Sequence, residues 1–358
     1  MTFVKKNGLG ILSCIIIAGI STLLAGINIG GFSFEIIGAP VFAIVIGMVI
    51  SLIFKNLSSD EKMKPGLTFT SKKILQWAVI ILGFTLNIKT VLSVGGESLP
   101  VIISTIAVSL IMAFIMCKIL KVDKKVSILV GVGSSICGGS AIAATAPVID
   151  ADDEEIAQSI SVIFLFNVIA ALIFPTIGNA IGLTDNGFAL FAGTAVNDTS
   201  SVTAAASAWD SMKNTDGLVL AQATTVKLTR TLAIIPITLV LAFIRTKQAK
   251  KQGREGTKIS FKKIFPWFIL YFVAASLITT LVSLLPQSGF TTFYNENFVH
   301  GAKWLAKFFI AMAMCAIGLN TNIVNLVKKG GKPILMGLCC WIAIATVSLV
   351  MQHVLGYW

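Results

Sequence analysis

Charge is scarce in this chain. Only 12% of its 358 residues are Asp, Glu, Lys or Arg, against about 25% in soluble domains. Hydrophobic residues make up 56%, and the gaps between apolar segments leave no room for a large soluble domain. The chain therefore reads as a polytopic membrane protein. Histidine is scarcer still: His300 and His353 lie near segment ends, where they are weak candidates for a proton relay. No histidine falls in the central segments, so a nucleophile such as Cys137 or Ser140 would lack a neighbouring base. An enzyme is not expected. The six cysteines sit in apolar segments, with neither zinc-ligand spacing nor a loop setting for disulfides, and are read as packing residues. Phosphate-binding glycine loops, dinucleotide fingerprints, HExxH and GxSxG are missing from any credible setting. Their absence excludes nucleotide-driven transport within this chain and leaves no cofactor or resident metal to expect.

What is present is apolar length. A span needs about 20 apolar residues, and eleven segments qualify: 8–29, 37–54, 74–94, 99–120, 127–149, 156–177, 188–209, 218–244, 264–285, 299–319 and 333–354. The first has no small-residue cleavage site followed by soluble chain, so it is read as a span and not as a signal peptide. The expected fold is all-α, a single integral membrane domain over 1–358, with core elements around 127–245 and 299–323 and a basic linker at 245–263.

The formal net charge of +12 lies mostly in loops beside the spans, which suits membrane topology and gives no reason to expect nucleic acid. Basic clusters around Lys5, Lys62, Lys124, Lys250 and Lys329 fall on one side if every segment crosses. Glu35, Glu97, the acidic run 150–155 and Glu296 fall on the other. The positive-inside rule then predicts a cytoplasmic N-terminus and an external C-terminus. Only the loop between the sixth and seventh segments lacks a positive signal on its assigned side. The basic linker also has the composition to meet anionic lipid, although it is read first as a topology signal.

The segment 131–149 cannot be one smooth helix. Gly138 and Gly139 are adjacent, Ser134, Ser135 and Ser140 flank them, and Pro147 follows. Each interior glycine costs a helix roughly 1 kcal/mol relative to alanine, so the pair predicts an unwound turn between half-helices. Backbone freed at that depth is tolerated only inside protein or beside a water-filled cavity, and such breaks hold substrate and ions in secondary transporters. The alternative is a face of small residues for close helix packing.

Two internal echoes appear. Gly83-Phe84-Thr85-Leu86-Asn87-Ile88 reads against Gly318-Leu319-Asn320-Thr321-Asn322-Ile323, and Gly95-Gly96 matches Gly330-Gly331 at the same 235-residue offset. The third and tenth spans run in opposite directions, which marks an inverted repeat. A weaker echo aligns Gly133, Ser140 and Ala144 with Gly193, Ser200 and Ala204. It implies parallel segments if both cross fully, unless one of the broken segments is re-entrant.

Ionisable residues inside the membrane are rare and functional by default. Three stand out: Asp198, in Asn197-Asp198-Thr199-Ser200, and Lys227 and Arg230, three apart and so on one helical face. Two cations facing a cavity would hold an oxyanion. Asp198 would be their counter-ion, or a proton or sodium site. The structural alternatives are a buried ion triad that fixes packing and snorkelling toward an interface. Asn87 and Asn322 occupy equivalent repeat positions and either line the site or bridge helices; Asn167 is read as interhelical glue.

The run Gly133-Ser134-Ser135-Ile136-Cys137-Gly138-Gly139-Ser140-Ala141-Ile142-Ala143-Ala144, the Asn197-Asp198 segment and Lys227-Leu228-Thr229-Arg230 resemble the YeiH-like family of bacterial membrane proteins, taken to export sulfate. The resemblance covers nearly the whole chain. That family usually has His-Asp where this chain has Asn197-Asp198, so the carboxylate is kept and an imidazole is lost. The family is similar to the broader cation:proton antiporter and anion transporter group, which includes bile-acid:sodium symporters. That likeness implies crossed broken helices in a core moving against a scaffold, often in a homodimer. The resulting expectation is a secondary transporter of the bacterial plasma membrane, exporting a small anion such as sulfate or a sulfonate. Its substrate residues would be Ser134, Ser135, Cys137, Gly138, Gly139, Ser140, Asn197, Asp198, Thr199, Ser200, Lys227, Arg230, Asn87 and Asn322. A sodium/proton antiporter using Asp198, and a structural subunit of a larger membrane complex, are the alternatives.

Overall fold

A backbone surrounded by lipid has to satisfy its own hydrogen bonds, and a helix does so within a single segment. The computed structural model, which describes all residues except 1, 30–31, 34–37, 55–59, 252–266 and 322, is accordingly helical almost throughout. The only strands among the described residues are the two-residue antiparallel pair Asn28–Ile29 and Phe32–Ser33. It joins α1 (Thr2–Ala25) to α2 (Ala39–Ile53). Next, α3 (Lys64–Phe69) runs through a π turn, Thr70–Ile74, into α4 (Leu75–Gly83). There follow α5 (Ile88–Leu120), α6 (Lys124–Ser135), α7 (Gly139–Thr145), α8 (Asp153–Ala180), α9 (Asp185–Ala195) and α10 (Thr199–Lys213). After α11 (Leu218–Thr231) and α12 (Ile234–Lys251), α13 (Trp267–Ser283) leads to α14 (Gly289–Phe293), α15 (Val299–Asn320) and α16 (Ile323–Leu355). Six stretches among the described residues are long and apolar enough to cross a membrane: Lys6–Ala25, Ile88–Leu120, Glu154–Ala180, Leu218–Leu241, Gly289–Asn320 and Gly331–Leu355. The side chains of the basic linker 245–263 lie outside the described residues.

Both broken segments fold back on themselves. A Cβ placed on Gly133 of α6 would lie 3.0 Å from Ile142 Cδ1 of α7. Nine residues of straight helix would separate those positions by roughly 13 Å. At the open end, Lys125 Nζ donates to the Asp150 carbonyl at 2.8 Å and stands 3.5 Å from Glu155 Oε2. The α6–α7 segment thus enters and leaves on the lysine-bearing side. In α9–α10 the Trp209 indole N–H donates to Asp185 Oδ1 at 2.7 Å, and Trp209 stacks on Phe188 at 4.0 Å. The first turn of α9 therefore meets the last turn of α10. With α8 crossing between them, the two hairpins enter from opposite sides.

This geometry corrects two expectations. The acidic run 150–155, expected across the membrane from the lysines, sits beside Lys125, because 127–149 turns back instead of crossing. The loop after α8 then falls on the side opposite the lysines, which accounts for its lack of positive charge. The Gly133/Gly193 echo, which would be parallel if both segments crossed fully, instead relates two hairpins of opposite direction. The larger echo also takes shape: α5 and α16 begin 235 residues apart, at Ile88 and Ile323, although α16 is two helical pieces joined at a kink at Gly331, whose φ of 43° and ψ of −134° are not helical.

Burial is continuous along parts of α10 and α15. Every residue of α10 from Ser200 to Asp210 is buried, as is α15 from Ile310 to Leu319. Cysteines introduced at the exposed positions Lys124 and Glu154 should label from the same side of the membrane, and one at Asn186 from the other. Labelling of Lys124 and Glu154 from opposite sides would rule out the α6–α7 hairpin.

Candidate functional site

A helix leaves its last carbonyls without partners. α6 stops at Ser135 and α9 at Ala195, both deep inside the protein, so each of these ends requires donors from elsewhere. Two side chains of α11 supply them. Arg230 donates through Nε to Ser135 O at 2.8 Å and through Nη2 to Ser134 O at 2.6 Å. Its Nη1 reaches Thr194 O at 2.7 Å and Val196 O at 3.3 Å. Lys227 Nζ donates to Ile136 O at 2.7 Å and Val196 O at 3.0 Å. Each cation therefore ties both hairpin tips together. Both are completely buried. Burying a charge costs several kcal/mol unless it is compensated. Here the compensation comes from the C-terminal ends of two helices, each equivalent to about half a negative charge.

The expectation that these cations face an open cavity is corrected. They face backbone, and among the described residues no ion pair joins Asp198 to either of them. Asp198 instead caps the N-terminus of α10. Its Oδ2 accepts the Ser200 backbone N–H at 3.1 Å and also the Ser200 hydroxyl.

The turn between α6 and α7 depends on Gly138, whose φ of 70° and ψ of −127° suit glycine alone. A Cβ there would also press against Ile163 at 3.3 Å, Asp198 Cβ at 3.4 Å and Asn167 Nδ2 at 3.6 Å. The first hairpin tip thus touches the second, with α8 beside both. Gly139 is helical, and the nearest atom to a Cβ there would be a Phe164 ring carbon at 3.8 Å. The break therefore belongs to one glycine of the pair.

Of the sequence candidates, Ser134, Ser135, Cys137, Gly138, Asn197, Asp198, Thr199, Ser200, Lys227 and Arg230 gather at this crossing. Ser140 lies on the exposed face of α7. Asn87 is elsewhere: it caps α5, accepting the Lys89 N–H at 2.8 Å. Asn322 lies outside the described residues. Asn167, read from sequence only as glue between helices, belongs to the crossing. Its Oδ1 accepts the Asn197 N–H at 3.2 Å. Its Nδ2, with Asn197 Oδ1 and Ser134 Oγ, is buried without a partner among the described residues. The signal for Asn167 was its polarity within the apolar run 156–177. The crossing therefore offers a donor and two oxygens, next to the start of α10 and a carboxylate.

Two substitutions test this construction. Arg230→Met leaves buried carbonyls on both tips unpaired and should lower stability by about 3–5 kcal/mol, read from denaturant titration of the purified protein. Gly138→Ala should cost about 1–3 kcal/mol, while Gly139→Ala should be neutral or slightly stabilising. Equal effects at the two glycines would refute the assignment of the turn to Gly138.

The chain matches a family model described as Conserved hypothetical protein 698 over residues 9–337. It is 56% identical to a UPF0324 membrane protein of Fusobacterium nucleatum over 351 residues, covering 97% of this chain and 98% of the relative. It is 58% identical to one of Streptococcus mutans over 329 residues, covering 92% and 93%. A third, from Streptococcus agalactiae, is 56% identical over 354 residues, covering 99% of both chains. With crossing-length helices, inward hairpins and this similarity along its length, the chain is a multi-pass membrane protein that belongs to the Conserved hypothetical protein 698 family, the UPF0324 membrane proteins.

Proposed function

We propose that this protein is a secondary transporter and that the crossing of its two hairpin tips is the substrate site. The observation that carries the reading is the pair of opposed re-entrant hairpins, locked tip to tip by Lys227 and Arg230. Interrupted helices at this depth provide backbone and side-chain groups that a continuous helix would have used internally. Two hairpins from opposite sides also make one site adjacent to both, as alternating access requires.

The cargo is a small anion of the sulfate or sulfonate kind, moved across the bacterial plasma membrane, with export as the direction. Two whole positive charges stand at the crossing against one carboxylate and two partly negative helix ends. Because Lys227 and Arg230 are engaged with carbonyls, they act on the anion by their field through the tips and not by direct grip. Direct contacts fall to Asn167 Nδ2 and Ser134 Oγ. Asp198, at the N-terminus of α10, suits a coupling role with a proton or sodium ion. The lysine-bearing side is cytoplasmic, which puts the N-terminus inside and the C-terminus outside, and the working unit is a homodimer. A second reading, sodium/proton antiport, draws on the Asp198 carboxylate and on Asn197 Oδ1, which has no partner among the described residues; both are acceptors that suit a cation.

Calorimetry and flux in proteoliposomes separate the two. For anion transport, Asn167→Leu should weaken sulfate binding roughly tenfold or more through the lost hydrogen bond to a charged group. Asp198→Asn should retain binding but uncouple flux from the ion gradient. An absence of anion binding in the parent protein, with sodium binding abolished by Asp198→Asn, would end the anion reading and favour the second.

A further inference from the structure

A second concentration of positive charge lies away from the crossing. The first turns of α1 and the α3–π segment border an open groove of about 800 Å³, lined by Lys6, Lys64, Lys72 and Lys73 and walled by Phe3 and Phe69. We propose that this groove binds the headgroup of an anionic phospholipid.

Depth is the first argument. The apolar part of α1 begins at Lys6, one of the four lysines that line the groove, and the ends of spanning helices are where a bilayer presents its phosphates. The second is rigidity. α1 and α3 meet backbone to backbone: a Cβ on Gly10 would fall 2.5 Å from Met63 O, and one on Gly66 would fall 2.3 Å from Asn7 O. The groove walls are therefore held in place before any lipid arrives, which reduces the ordering cost of binding.

The third argument is the local distortion. The π turn Thr70–Ile74 interrupts the α3–α4 run at the residues that carry Lys72 and Lys73. Such turns are rare and concentrate at functional sites. The fourth is unspent charge. All four lysines are exposed, and Lys6, Lys64 and Lys72 have no partner among the described residues. Lys73 reaches only Gln76 Oε1, at 3.4 Å.

The aromatic wall selects lipid over free phosphate. Phe69 meets Phe3 edge-on at 5.1 Å and Trp77 at 5.7 Å, so an apolar strip runs beside the lysines. An acyl chain covers that strip; an inorganic anion does not. Four ammonium groups also suit a lipid with two phosphodiesters better than one with a single charge. Lys121 and Lys124 provide the contrast, since they lie among the basic residues at the start of α6 but do not line the groove.

The test is native mass spectrometry of the full chain in detergent, titrated with diphosphatidylglycerol, phosphatidylglycerol and phosphatidylcholine. The anionic lipids should bind more tightly than phosphatidylcholine, with diphosphatidylglycerol first. Lys72→Gln with Lys73→Gln should weaken that binding roughly 25-fold, about fivefold per lysine. The paired arginine replacements should retain it, which separates loss of charge from loss of fold. Lys121→Gln with Lys124→Gln should leave it nearly unchanged. Equal losses in the two glutamine pairs, or phosphatidylcholine binding as tightly as the anionic lipids, would overturn the groove as a site. Displacement of the lipid by millimolar inorganic phosphate, with the same lysine dependence, would overturn lipid as its occupant.

Discussion

Six hydrogen bonds from Lys227 and Arg230 to five carbonyl oxygens hold the centre of this protein together. Breaking a helix inside a membrane exposes carbonyls that lipid cannot solvate. Two breaks at the same depth double that cost and bring two negative helix ends close together. One turn of α11, with a cation at each of two positions three residues apart, offsets both. The same bonds also justify the burial of the cations. Neither the broken helices nor the buried charges would persist without the other, so hairpin tips and cations form one structural unit.

That unit shapes what surrounds it. Because each hairpin returns to the side it came from, α8 alone separates their entrances, and the hairpins are related by inversion. The same relation recurs in α5 and α16, which begin at equivalent positions of the repeat and run in opposite directions. Around the crossing the scaffold is packed through backbone. A Cβ on Gly47 of α2 would fall 2.7 Å from Cys315 O of α15, and one on Gly318 of α15 would fall 2.4 Å from Ile44 O. Contact at that range depends on van der Waals packing, the main attraction available between helices when lipid is as apolar as the side chains. The crossing differs. It combines one conformationally demanding glycine, Gly138, with amide and hydroxyl atoms that have no partner among the described residues. The scaffold uses its close contacts for stability, whereas the crossing keeps polar capacity unspent.

The amphiphilic pattern of the chain settled the class of protein and much of the inventory of its site. Scarce charge and long apolar runs require a membrane, since nothing else solvates such a chain. The double glycine announced a break, and intramembrane Asp198, Lys227 and Arg230 announced polar machinery, because such residues are too costly to be idle. These are local facts, each carried by a short stretch. Whether a broken segment crosses or returns is not local. Lys125 and Glu155 read as opposite sides until the fold brings them within 3.5 Å of each other. The partners of the cations were likewise beyond the sequence, because the carbonyls of Ser134, Ser135, Ile136, Thr194 and Val196 belong to backbone, which is the same at every position. Side-chain chemistry can be read along a chain, but only the tertiary structure decided which helix ends lie unpaired, which cation reaches them and which amide, that of Asn167, stands at the crossing with a proton still to give.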